Sequence, residues 1–240
     1  MKDVLSFIEQ KKEEFSQLPL MAYLQDQSIS PQKRLAFAPC IAPFAMEFRH
    51  FNKYVLRQES SSVPAQKLIN KHTHEDERHW YWFIEDLEKL GFDGEEKMSD
   101  ILKFLWGKDT TVSRHVCQQL EQCLLEAEQA DPNLRIVVSE AIEATGVVMF
   151  GNTTAVAQEL QKITQKDYRY FGRFHLDLET GHLTGTDNVE TVLEKIQLSP
   201  QSRIKAFELV ERVFDIFAEL THELLAFAKN NQKSLSSHLN

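Results

Sequence analysis

Apolar residues recur at the spacing of an α-helix along almost the whole chain of 240 residues. The residues that interrupt helices are scarce, since the chain has only 8 Gly and 7 Pro. An all-β fold needs many tight turns, which Gly and Pro supply, so this composition disfavours it. The pattern therefore predicts an all-α bundle of about seven main helices.

Capping signals and helix breakers set the predicted boundaries. Ser30-Pro31 and Ser199-Pro200 each place an N-cap Ser before a Pro at the first helical position. Gly91 and Gly181 are typical stop signals. The predicted helices span about residues 4–15, 30–57 with a bend near its two prolines, 61–90, 98–106, 112–130, 131–151, 155–180, 189–196 and 199–229.

The connections between these helices are short, and no Gly/Ser-rich linker marks a domain boundary. We therefore expect one helical domain over residues 1–230, followed by a polar tail over residues 231–240. The apolar last helix is compatible with a homodimer.

Charge and hydropathy argue against two classes of partner. The formal net charge is −9 and there is no long basic cluster, so binding to nucleic acid is not expected. The N-terminus lacks the apolar segment of a signal peptide, and no stretch of 18 apolar residues occurs. These features predict a cytoplasmic protein that does not enter a membrane.

Ligand-type side chains interrupt the apolar stripes of four predicted helices. In the third helix, His72 and His79 align with core positions, and Glu75 and Asp76 flank that line. In the second helix, Glu47 falls on a stripe of apolar residues.

The sixth predicted helix is apolar nearly all round, and Glu140 lies in its middle with Glu143 close to the same face. An unpaired carboxylate buried there would be protonated or would destabilise the fold by several kcal/mol. Glu140 therefore indicates a nearby cation.

The seventh predicted helix places His175, Glu179 and His182 on one stripe, with Tyr168 two turns earlier. Helical bundles build metal sites from such side chains on facing helices. Nitrogen and carboxylate ligands without thiolate suit Fe, Mn or Zn, and a His/carboxylate set with open positions is typical of O₂ activation at ferrous iron.

The segment Phe174-His175-Leu-Asp-Leu-Glu179-Thr-Gly-His182 resembles the His-x3-Asp-x2-His signature of heme-oxygenase-like diiron oxidases and oxygenases. Their superfamily also contains heme oxygenase, thiaminase II and pyrroloquinoline-quinone synthase. The resemblance implies a single-domain heme-oxygenase-like bundle, and it is also compatible with a homodimer. It covers roughly residues 30–225 as an ordered series of helices.

The resemblance also implies a set of metal ligands: His79, Glu140, His175, Glu179 and His182, with Glu47, His72 and either Glu75 or Asp76 completing it. Two features depart from the family pattern. Glu179 replaces the usual Asp, and the expected Glu before His79 has no clear match. The number of metal ions, one or two, therefore stays open.

Together these features predict a non-heme iron oxidase or oxygenase that uses O₂ on a small organic substrate, with Mn or Zn as alternative metals. Tyr168 is the candidate catalytic residue, and Tyr168 and Trp82 are candidate walls of the substrate pocket. Two other functions stay open for the same fold: a cofactor-free acid/base enzyme, similar to thiaminase II or pyrroloquinoline-quinone synthase, and a non-catalytic protein that binds a small molecule.

Overall fold

The computed structural model describes residues 1–184, 193 and 195–230, without the side chains of residues 181–184. All regular elements in this part of the chain are helical, which confirms the all-α prediction. The α-helices are α1 (Lys2–Ser16), α2 (Pro19–Gln25), α3 (Pro31–Arg34), α4 (Ala42–His50), α5 (Pro64–Asp76), α6 (His79–Leu90), α7 (Met98–Leu105), α8 (Val116–Ala130), α9 (Leu134–Thr164), α10 (Arg173–Thr184) and α11 (Pro200–Asn230). A π-helix (Phe51–Leu56) and two 3₁₀ turns (Ala38–Ile41 and Lys108–Thr110) complete them.

Helix α9 is the centre of the bundle. It has 31 residues, most of its first half is buried, and it packs against α1, α8, α10 and α11. A helix that is apolar nearly all round has no face for solvent, so other helices surround it. This arrangement places Glu140 and Glu143 inside the protein.

Two predicted helices are divided in the structure. Residues 30–57 form α3, a 3₁₀ turn, α4 and the π-helix, because Pro39 and Pro43 each sit at the first positions of a new element. Residues 61–90 form α5 and α6, with Glu77 and Arg78 between them. Each restart resets the rotational phase, so a single helical wheel does not describe these segments.

A third boundary lies later than predicted. Helix α9 continues through Gly151, where an added Cβ would meet no atom within 4 Å, and it ends at Thr164. Gln165, the next residue, adopts the left-handed conformation with φ 57°. Residues 165–172 then form a loop. At Gly172 a Cβ would lie 1.9 Å from the carbonyl oxygen of Tyr168, so only glycine allows this loop to close.

Some predicted features fall outside the described residues. These are most of the short helix over residues 189–196 and the polar tail over residues 231–240. The last helix runs from Pro200 to Asn230, in agreement with the prediction. In the part of the chain that the structure covers, no helix combines the length and apolar character needed to cross a membrane.

Candidate metal centre

Two histidines and one glutamate meet inside the bundle. Nε2 of His175 lies 2.9 Å from Nδ1 of His79 and 3.0 Å from Oε1 of Glu179. The remaining pair, Nδ1 of His79 and Oε1 of Glu179, is 3.8 Å apart. All three residues are buried, with His79 at the start of α6 and the other two one turn apart on α10.

These distances fit a shared metal ion. Ligand atoms about 2.1 Å from a metal and at right angles to each other are about 3.0 Å apart. Two of the three distances match that spacing, and the pair of His79 and Glu179 would close by less than an ångström. Each residue offers one ligand atom, so this buried group of His79, His175 and Glu179, the metal triplet, can hold a metal ion.

A backbone carbonyl orients His175. Nδ1 of His175 lies 2.9 Å from the carbonyl oxygen of Tyr170, which only accepts hydrogen bonds, so Nδ1 carries the proton. Nε2 is then the nitrogen that faces His79 and Glu179 and that can offer a lone pair to a metal. Metal-binding histidines commonly have such a fixed tautomer.

Aromatic rings pack against both imidazoles. The indole of Trp82 stacks on His79 with ring centroids 4.6 Å apart and an interplanar angle of 26°. The ring centroids of Phe150 and His175 are 3.7 Å apart. These contacts limit the rotation of both imidazoles and keep water away from them.

Two further carboxyl groups line the same cavity as the metal triplet. Burial raises the pKa of Asp76 well above its ordinary value, and the nearby charges of Glu179 and Glu75 raise it further. Burial also raises the pKa of Glu143, as do the charge of Glu179 and the hydrogen bond between these two residues. Burial raises the pKa of Glu179 as well. Hydrogen bonds with His175 and Glu143 and the charge of the nearby histidines outweigh this effect and lower its pKa to about 2.

Glu140 lies one turn before Glu143 on α9 and is also buried. Burial raises its pKa from 4.5 to about 7. Its carboxyl group is not among those that line the cavity of the metal triplet. Glu143, which the sequence placed only near that face, occupies the position in the cavity instead.

The acids of the site have no basic partner among the residues that the structure describes. Among the ion pairs of the described residues, none joins Asp76, Glu140, Glu143 or Glu179 to a Lys or Arg. One oxygen of Glu143 and one of Asp76 are buried without a hydrogen-bond partner in this part of the chain. Buried acids without basic partners favour either bound protons or a bound cation.

The expectation that Glu47 and Glu75 face the interior is wrong. The side chain of Glu47 is 58% exposed and lies 3.8 Å from Nδ1 of His50. Glu75 is exposed on α5. The prediction for Glu47 continued one helical wheel across Pro39 and Pro43, where the helix in fact restarts. Of the two alternatives Glu75 and Asp76, only Asp76 is buried.

Tyr168 does not line the cavity. Its hydroxyl lies 3.2 Å from Oγ1 of Thr164, at the end of α9. The prediction assumed a continuous helix from Tyr168 to His175, but a loop joins α9 to α10 and brings Tyr170 to the cavity instead. Trp82 packs behind His79 rather than against the cavity, and Trp80 lines it.

Two of the predicted ligands stay untested. His72 is buried one turn before Asp76 on α5 but is not part of the metal triplet. The side chain of His182 is outside the described residues.

A signal for Asp76 was present in the sequence. His72-x3-Asp76-x2-His79 has the same spacing as His175-x3-Glu179-x2-His182. Comparing the two segments would have favoured Asp76 over Glu75. No sequence signal identifies Tyr170 as the acceptor for His175, because that contact depends on the loop.

The comparisons with known proteins do not add to this picture. No protein-family model matches the chain, and no curated protein matches it either.

Proposed function

We propose that this protein is a non-heme, metal-dependent oxidase or oxygenase of a small organic substrate, with iron as its metal. The metal triplet carries the proposal, because two histidines and one carboxylate are the donor set of many non-heme Fe(II) oxygenases. Iron held there would supply the redox chemistry that activates O₂. The resemblance of residues 174–182 to the heme-oxygenase-like diiron enzymes supports the same function.

Asp76 and Glu143 would extend the donor set. Both carboxyl groups line the cavity beside the metal triplet, and together they provide enough oxygen ligands for a second ion. Mn and Zn accept the same donors, so the choice of iron rests on the donor pattern and on the resemblance.

The other residues of the site would position its ligands and exclude water. The carbonyl of Tyr170 holds Nδ1–H of His175, so that Nε2 faces the metal triplet. Trp82 and Phe150 pack on the two imidazoles, and the cavity beyond them is lined mainly by apolar side chains. A dry, apolar wall protects reactive species from unwanted proton transfer.

Metal content tests the proposal. Protein expressed with added iron should contain about one to two equivalents of metal by inductively coupled plasma mass spectrometry. The His175→Ala variant should lose it. His74→Ala is the matched control, because His74 is exposed and contacts Glu59 on the surface. Less than about 0.2 equivalents of any transition metal in the unmodified protein would contradict the proposal.

Activity then separates an oxidase from a metal site of another kind. The iron-loaded protein should consume O₂ when a one-electron reductant and substrate candidates are added. The His175→Ala variant should not, while His74→Ala should behave like the parent protein. Stoichiometric iron with no O₂ consumption under any of these conditions would restrict the proposal to metal binding.

One observation favours a second function, that of a cofactor-free acid/base enzyme. The pKa of Glu143 is raised by burial and that of Glu179 is lowered to about 2, mainly through His175, although the two carboxyl groups share a hydrogen bond. Such a separation is typical of paired acid and base groups. This alternative requires activity that survives treatment with a chelator.

A further inference from the structure

The metal triplet opens into a cavity that differs strongly from it in character. The cavity has a volume of about 90 Å³ and lies between α4, α9 and α11. Beyond the acids and histidines, its walls are mainly aromatic and aliphatic, with Phe44, Phe48, Ile142, Met149 and Leu220 as representative residues. Apolar walls favour a ligand whose buried part is hydrocarbon.

Three threonines in the wall do not change this character. The hydroxyls of Thr145 and Thr221 each donate a hydrogen bond of 2.7–2.8 Å to a backbone carbonyl of their own helix. The hydroxyl of Thr153 does the same at 3.4 Å. Their protons are therefore already used, so these hydroxyls do not donate to a buried polar group of a ligand.

The volume limits the size of the buried part. An apolar cavity of roughly 150 Å³ admits benzene. At about 90 Å³ this cavity suits a short branched alkyl chain, or a single ring after small side-chain shifts. A long acyl chain would not fit inside it.

Two hydrogen-bond donors, Arg49 and Trp80, lie next to each other in the lining of the cavity. Arg49 is exposed on α4 and lines the cavity, and its guanidinium lies 5.4 Å from the centroid of the Trp80 ring. Trp80 also lines the cavity, and its Nε1–H is buried without an acceptor among the described residues. Arg49 is the one Lys or Arg among the described residues that line this cavity. A carboxylate satisfies such donors, since it accepts two hydrogen bonds from an arginine.

We infer that the cavity binds a small apolar carboxylate, with its hydrocarbon part among Phe44, Met149 and Leu220 and its carboxylate at Arg49 and Trp80. This inference rests on the proposed function, because it identifies the ligand of the cavity as the substrate. The hydrocarbon carbons would then lie beside the metal triplet, and the charged group would stay at the opening.

Binding to metal-free protein tests the inference separately from the metal. The protein is dialysed against a chelator, and binding of 4-methylpentanoate, 4-methylpentan-1-ol and 4-methylpentylamine is measured by saturation-transfer NMR. These probes share one hydrocarbon part and differ in charge. We expect the carboxylate to bind about fivefold more tightly than the alcohol, as for a partly exposed hydrogen-bonded ion pair. We expect dodecanoate to bind no more tightly than 4-methylpentanoate.

Variants locate the two parts of the ligand. Arg49→Gln should remove the preference for the carboxylate over the alcohol, and Lys53→Gln, an exposed cation outside the cavity lining, should keep it. Leu220→Phe and Met149→Phe each fill the cavity and should abolish binding of all three probes. Two filling variants are used because either could disturb folding, which thermal unfolding reports.

Four results would overturn the inference: no binding of any probe, equal or tighter binding of the amine, a carboxylate preference that survives Arg49→Gln, or unchanged binding in both folded filling variants. All four results are measured on metal-free protein. If the binding tests fail but the protein contains stoichiometric iron, the proposed metal site is unaffected. If the probes bind as expected but the protein takes up no iron, the ligand class is supported and the proposed metal site is not.

Discussion

The carboxylate of Asp86 accepts a hydrogen bond of 2.8 Å from the backbone N–H of Tyr170, the residue whose carbonyl orients His175. The same carboxylate accepts hydrogen bonds from the N–H groups of Arg169 and Phe171. Asp86 is fully buried on α6, so it anchors the loop before α10 to the helix that carries His79. Both histidines of the metal triplet thus depend on this carboxylate for their relative position.

Replacing Asp86 should weaken both the fold and the metal site. In Asp86→Asn, one of the two accepting oxygens becomes an NH₂ group that faces a backbone donor. We expect the free energy of unfolding to fall by about 2–4 kcal/mol, because buried donors lose their acceptor. Urea unfolding measures this loss, and Glu85→Gln, the exposed neighbour, is the control.

The positioning role of Asp86 predicts a second effect, on metal affinity. Folded Asp86→Asn protein should bind metal at least about tenfold more weakly, which is the usual loss when a group that orients a metal ligand without touching the metal is replaced. Unchanged metal affinity in this variant would mean that Asp86 contributes to stability alone.

Two glycines of this region should respond oppositely to alanine. At Gly172 a Cβ would lie 1.9 Å from the carbonyl oxygen of Tyr168, whereas at Gly146 on α9 it would lie 3.8 Å from the nearest atoms, an ordinary contact. Gly172→Ala should therefore displace the loop and lower the melting temperature. Gly146→Ala should raise the free energy of unfolding by up to about 1 kcal/mol, since alanine favours a helix over glycine. Calorimetry of the two variants checks both signs.

Glu140 should make the stability of the metal-free protein depend on pH. Its pKa in the folded state is raised by burial from 4.5 to about 7. The unfolded chain therefore releases this proton first, and the free energy of unfolding should decline as the pH rises from about 4.5 to about 7. The decline due to this residue is roughly 3 kcal/mol.

The Glu140→Gln variant tests that contribution. Urea unfolding at several pH values should show a shallower decline in the variant, because glutamine does not titrate. Asp76 and Glu143 remain in both proteins, but the charge of Glu140 also raises the pKa of Glu143, so the difference between the two curves contains Glu140 and its coupling to Glu143. Parallel curves would contradict the raised pKa.

The placement of the acids predicts which substitutions affect metal binding. Glu179→Gln should lower metal affinity at least about tenfold, because it removes a charged ligand. Glu47→Gln should have no effect and Glu75→Gln at most a small one, because both side chains are exposed and neither belongs to the metal triplet. Isothermal titration with Mn²⁺ or Co²⁺ compares the three variants. A loss of affinity in Glu47→Gln equal to that in Glu179→Gln would place the metal elsewhere.

Sequence periodicity determined that the chain is helical and that acids and imidazoles interrupt its apolar stripes. This works because a helix repeats its faces every few residues, so a local pattern is enough to identify the buried side. His79, His175 and Glu179 were identified in this way, and they are the three that meet.

Tertiary structure alone decided how those faces are aligned with one another. Each break, at Pro39 and Pro43 or between α9 and α10, resets the rotation of the next helix, and this turned Glu47 to solvent and replaced Tyr168 with Tyr170 at the cavity. The contacts of Asp86 with the loop join residues 83 to 85 positions apart in sequence. Local propensity carries no information about such contacts, because they depend on how distant segments pack together.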